Sequence, residues 1–338
     1  MTRKNTQVRT VLSLSTLALI VTATFSFAGP LDPPAGPVAS TYKTLNEVEP
    51  RTPIDAANTP GDADSLFKIT QPGSYYLTGN ITGIAAKHGI EIVSSGVTID
   101  LNGFELTGIA GSLDGVSATV NGLRSIAVVN GSARSWGEDG IDLSRATLTG
   151  ARLEGLRASN NGQDGLRVKD GSEVTHCVGV SNTRDGISIG DDSLVIGCSA
   201  EKNTRNGISA NQGCVIRDCA VSQNGVDGIL VNTVCDVRQN NCTLNGLASA
   251  IGSGIRVTGF GTRIEANNCV SADRGIVIET SGCVVIRNTC RGNTVSDWDV
   301  VAGNAILVID ATTTSAAIVG RSGGVAPGPA DSNANYTY

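Results

Sequence analysis

The sequence predicts an all-β chain wound as a right-handed parallel β-helix, a three-sided solenoid of about ten coils. Three observations carry this. First, a Gly followed by an aliphatic residue returns at Gly89-Ile90, Gly115-Val116, Gly140-Ile141, Gly165-Leu166, Gly186-Ile187, Gly207-Ile208, Gly228-Ile229, Gly254-Ile255 and Gly275-Ile276, in steps of 26, 25, 25, 21, 21, 21, 26 and 21 residues. A coil at such a period cannot bury its apolar side alone and must stack on its neighbours. Second, no window keeps apolar residues at i, i+3, i+4 and i+7, and Gly or Asn interrupts every run before helix length. Third, Gly accounts for 42 of 338 residues and aromatics for only 4%, the composition of a narrow interior filled by small and β-branched side chains.

One coil is legible from the steps of 21 residues, where residues 186–204 align with 207–225 without gaps. Ile187 and Ile189 alternate with Ser188, the period-2 pattern of a half-buried strand. A second strand carries Val195, Ile216 and Val237 inward, and a third starts at Cys198, Cys219 and Cys242 and continues inward at Ala200, Val221 and Leu244. Coils of this length exceed the hexapeptide left-handed type and lack the leucine-rich signature, which leaves the three-sided right-handed form.

The segments follow in order. Residues 1–28 read as a signal peptide, with Arg3, Lys4 and Arg9 ahead of an apolar stretch and Ser26-Phe27-Ala28 before Gly29. Residues 29–61 are rich in Pro, Ala and Thr and read as a linker or strap, and residues 62–312 as the β-helix with Phe67 to Asn80 as its N-terminal cap. Residues 313–338 read as a flexible tail that could strap the far end. The expected location is therefore secreted or in the cell envelope, with no membrane span after signal cleavage.

Charge and cysteine narrow the chemistry. The formal net charge is −6, and loss of the three basic residues of the signal makes it more negative, so nucleic acid is not an expected partner. The nine cysteines fall into inward registers, Cys177, Cys198, Cys219, Cys242, Cys269 and Cys290 in one and Cys214, Cys235 and Cys283 in another. Buried Cys behaves as a small hydrophobe, so packed free thiols are expected in preference to bridges or a metal centre. Asn161, Asn182, Asn203 and Asn224 each stand four residues before an anchor Gly, a file in which each amide can bond the one stacked above it.

A second polar file, Asp114, Asp139, Asp164, Asp185, Asn206 and Asp227, immediately precedes the anchors. Stacked carboxylates repel, so either backbone N–H groups pin each one or a cation lies between them. Asp139, Asp164 and Asp185 are accordingly the candidate metal ligands, with Ca²⁺ as the cation their oxygens would suit. No other cofactor is indicated. On the outward side of the first strand lie Glu91, Ser117, Asp142, Arg167, Ser188, Ser209, Leu230, Arg256 and Val277. The dense charge is at Asp142, Arg167 and Lys169.

The repeats Asp185-Gly186-Ile187, Asn206-Gly207-Ile208 and Asp227-Gly228-Ile229, with the stacked Asn, resemble the parallel β-helix repeats of the pectate-lyase-like superfamily. The stretch from Ile69 through Tyr75 and Leu77 to Asn80, followed by Val97 to Gly103, resembles the opening of secreted bacterial β-helix repeat proteins. The resemblance implies extracellular polysaccharide as partner, lying along the outer face of the first strand. A lyase on that face needs a base beside a uronate carboxylate, for which Arg167 or Lys169 is the candidate, with Asp142 as the third member of the catalytic set. Arg256 on the same face, with Trp136 and Trp298 as rings that could stack on sugars, are candidate substrate contacts. Three functions fit: polysaccharide binding, a polysaccharide lyase or glycoside hydrolase, and a structural or adhesive surface protein. The oligomeric state is not legible.

Overall fold

The computed structural model describes residues 49–145, 147–248, 251–310, 319–321 and 331–337. The segment read as a signal peptide lies outside them. A compact unit runs from Arg51 to Tyr338, and among its described residues there is no helix. It is a right-handed parallel β-helix. No helix of the described residues is long and apolar enough to cross a membrane.

One face is a sheet of eleven parallel strands among the described residues, from Ser65–Ile69 and His88–Ile92 through Ile141–Leu143 and Leu166–Val168 to Ser296–Val300. The strands pair in register with the same position one coil on: Ile141 with Leu166, Leu166 with Ile187, Ile187 with Ile208. The side chains that alternate inward, such as Ile90, Ile141, Leu166, Ile187, Ile208 and Ile229, are all fully buried or nearly so. Burying one such side chain contributes roughly 1.5–3 kcal/mol, which explains why the register holds so uniformly. The other two faces carry Val174, Val195, Ile216 and Val237 in one inward file and Ala158, Ala200 and Val221 in another.

The anchor glycine and the ladder asparagine are one device. A Cβ added at Gly186 would stand 2.5 Å from Nδ2 of Asn203, and one at Gly165 would stand 2.6 Å from Nδ2 of Asn182. The amide of the next coil occupies the space that any other residue would need. Each ladder amide is saturated: Asn203 Nδ2 donates to Gly179 O and to Asn224 Oδ1, both at 3.0 Å, while its Oδ1 accepts from Asn182 N and Nδ2, also at 3.0 Å. The file continues to Asn245.

Several expectations change. Phe67 to Asn80 is not a cap laid over the solenoid but its first coil, since Phe67 pairs with Ile90 and Tyr75 with Ile99. Thr52–Pro53 pairs with Tyr75 and Tyr76, so strand structure begins before residue 62. At the other end, Asn335–Thr337 is held in the sheet by Asn288, Thr289 and Cys290. The cysteines form three files, not two: Cys219 stacks under Asn240, whereas Cys242 pairs with Val221 and is followed by Cys269 and Cys290. Leu244 consequently lies at an exposed corner with φ 55° rather than inside. All nine cysteines are buried and free.

Candidate functional site

The outward register of the eleven-stranded face runs Lys68, Glu91, Ser117, Asp142, Arg167, Ser188, Ser209, Leu230, Arg256, Val277 and Asp299, each the lateral partner of the next. Across its second to fifth coils lies a groove of about 510 Å³ lined by His88, Asp114, Ser117, Glu138, Asp142, Ser144, Arg145, Arg167 and Lys169. Asp142, Arg167 and Lys169 are thus brought together as the sequence predicts.

The carboxylates beneath this groove are organised by the stack. Asp114 Oδ1 accepts from Asp139 N at 2.9 Å, Asp139 Oδ1 from Asp164 N at 2.6 Å, Asp164 Oδ1 from Asp185 N at 3.0 Å and Asp185 Oδ1 from Asn206 N at 2.9 Å. The pinning N–H comes from the coil above, not from a local turn. It satisfies one oxygen per residue. Asp164 Oδ2 is buried without a hydrogen-bond partner, and Arg167 reaches toward it and toward Asp139 Oδ2 only at 3.9 and 3.8 Å. Buried acids that repel each other protonate more readily. Burial, then the charges of Asp164, Asp142 and Asp114, push Asp139 up to about 8. Burial likewise raises Asp142, against the hydrogen bond from Ser144 N.

His88 occupies the register of the Asp file one coil before Asp114, and Asp114 N donates to its Nδ1 at 3.2 Å. Burial acts to lower its pKa, but Asp114, Glu91 and Glu138 outweigh that and hold it above the ordinary value. Sequence reasoning passed over His88, although extending the file from Asp114 back by the 26-residue step lands on it. Glu91 is neutralised in place, with Lys68 Nζ 2.8 Å from Oε2 and Thr119 Oγ1 donating to Oε1.

The metal expectation does not find a gathered donor set. One-coil spacing strings Asp139, Asp164 and Asp185 along the stack, so three of their oxygens do not converge. Among the described residues, the convergent acidic group is Asp62, Asp64 and Glu91, and Lys68 Nζ already lies 2.6 Å from Asp62.

The expected substrate contacts separate from the groove. Trp136 is 1% exposed. It stands at the Asn-file position one coil before Asn161, taking the Asn161 Oδ1 bond on its backbone N–H, and its Nε1 donates to Leu106 O at 3.1 Å. Its indole fills the space where coils two and three carry Gly89 and Gly115, at which an added Cβ would lie 2.8 Å from the ring. Trp298 does not share that corner: it stacks on Ile276 at the last coil, with Nε1 donating to Thr337 Oγ1 at 2.7 Å. Arg256 faces outward, but Glu279 and Asp227 hold its guanidinium.

Residues 114–271 match the family described as right handed beta helix region. No curated protein sequence matches the chain. Among solved structures, the A-module of mannuronan C-5 epimerase AlgE6 from Azotobacter vinelandii is 14% identical, with a TM-score of 0.49, covering 69% of this chain and 89% of its own. Pectate lyase Pel9A is 15% identical, with a TM-score of 0.43 over 70% of this chain and 66% of its own. The catalytic unit of an α-1,3-glucanase from Streptomyces thermodiastaticus is 13% identical, with a TM-score of 0.41 over 79% and 60%. The matched segment lies within the parallel stacking and register described above, which by themselves make the fold a right-handed parallel β-helix.

Proposed function

We propose that the protein binds a uronate-containing polysaccharide outside the cell, laid across the outward groove of coils two to five, with Arg167 and Lys169 taking its carboxylates. The observation that carries this reading is the placement of those two cations in the groove, above the buried carboxyls of Asp139 and Asp164. The guanidinium makes only long contacts to Asp139 and Asp164, which leaves its donors available for a bidentate carboxylate. The test is a titration with polygalacturonate, alginate and neutral glucans, with and without Ca²⁺. Saturable binding of an acidic polymer, weakened about tenfold by Arg167→Ala, supports the reading; absence of binding to every polymer refutes it.

A second reading, turnover of the bound chain, is favoured by one observation: Asp139, Asp142 and His88 all have raised pKa values beside the groove, and such groups are suited to proton transfer near neutral pH. Release of reducing ends or of unsaturated uronate would distinguish turnover from binding.

A further inference from the structure

The outward file that contains Lys169 does not end at the groove. Backbone bonds link Lys169 to Leu143, Gly190 to Val168, Asn211 to Ile189 and Thr258 to Val231, so Lys169, Gly190, Asn211, Asn232 and Thr258 stack on five successive coils. Asn211, Asn232 and Thr258 are exposed. Gly190, between Lys169 and Asn211, is buried and adds no side chain to the file; a Cβ there would meet Asp170 Oδ1 at 2.3 Å. Two residues past Thr258 stands Phe260, 61% exposed among the described residues.

Phe260 does not stand alone. Its carbonyl accepts from Val234 N at 2.8 Å, and Val234 is 56% exposed with φ 58°. The equivalent corner carries Gly150, Gly171, Asp192 and Gly213 on preceding coils and Gly261 on the next, all with positive φ. A β-branched residue in the left-handed region is an outlier. Here it exposes an isopropyl group on the coil whose backbone bonds Phe260, at a corner where Gly fits without strain.

We infer that Phe260, at the corner that follows the outward strand and joined by a backbone bond to the exposed Val234, is a distal sugar-stacking platform on which a polysaccharide seated in the groove rests further along the solenoid. An aromatic face flanked by amides and hydroxyls suits a sugar ring, which has an apolar face and a polar edge. The stretch from Lys169 to Thr258 spans four coil spacings, about 19 Å, and its side chains at Asn211, Asn232 and Thr258 are exposed. The inference rests on the groove reading above and adds to it a second contact that only a long chain can reach.

The experiment compares trigalacturonate with a galacturonate decamer by calorimetry on the full chain. Phe260→Ala weakens the decamer about tenfold and leaves the trimer unchanged; Phe260→Tyr, which keeps the ring, retains the decamer affinity. Arg167→Ala weakens both ligands. Val234→Gly raises the thermal midpoint and weakens the decamer a few fold. Decamer affinity unchanged in Phe260→Ala, while Arg167→Ala still weakens both ligands, overturns the platform and leaves the groove standing. No binding of either ligand by the unaltered protein overturns both.

Discussion

Two polar files run side by side up the same corner of this solenoid, three residues apart in sequence, and they resolve stacking in opposite ways. In the Asn file each side chain both donates and accepts, so Asn182, Asn203 and Asn224 close every bond with one another and with the carbonyls of the coil below. In the Asp file a carboxylate can only accept. One oxygen takes the amide of the next coil and the other is left over, as at Asp164 Oδ2. The neutral file is saturated and structural; the acidic file keeps an unbonded carboxyl oxygen at Asp164, beneath the groove. Chemical capacity in a repetitive fold therefore collects where the repeating residue cannot satisfy its copy.

Converting one file into the other is the most severe way to break the comparison. Asn203→Asp removes two donors from a buried site and sets a carboxylate against the acceptors of Gly179 and Asn224. The expected loss is on the order of 5 kcal/mol in urea unfolding at neutral pH, smaller in acid, where the new carboxyl protonates and can donate one bond. Trp136→Ala empties the indole site below Gly89 and Gly115 at a cost of about 3–5 kcal/mol. If Trp136 were a surface contact, the cost would stay under 1 kcal/mol.

Asp139 sharpens the comparison through pH. Its folded value of about 8 lies above its ordinary value of 3.8. Between those values the folded state holds a proton that the unfolded chain has released, so stability contributed by this group is full below about pH 4 and is lost as the pH rises through about 8. The thermal midpoint should fall by several degrees from pH 5 to pH 9, and Asp139→Asn should flatten that slope and stabilise the protein at the alkaline end. The smallest effect on stability is expected from Arg167→Ala, under about 1 kcal/mol, because its ion contacts are long and its side chain is partly exposed.

The strands, the outward register of the first strand and the first four residues of the Asn file were legible because each follows from a period counted from the anchor Gly. What escaped did so where the count slips. The step from Cys219 to Cys242 is 23 residues rather than 21, and those two residues move Cys242 off the corner and onto the following strand, where it pairs with Val221. The same slip concealed a second Asn file, Asn240, Asn267, Asn288 and Asn335. Trp136 was misread because its ring type suggested a surface role, whereas its position, four residues before Gly140, placed it at a ladder site. His88 was missed because a residue type was sought where the register itself was the signal. The partnering of each carboxylate was beyond the sequence, since it depends on which atoms of the adjacent coil come within reach.

Lysine footprinting in the presence of polygalacturonate tests the groove most directly. Lys169 lines it, whereas Lys202, at a corner of coil six, lies outside it. The polymer should slow acetylation of Lys169 severalfold and leave Lys202 unchanged, and Arg167→Ala should abolish that protection. Equal labelling of both lysines with and without polymer, or protection at Lys202 alone, would contradict a polysaccharide seated across coils two to five.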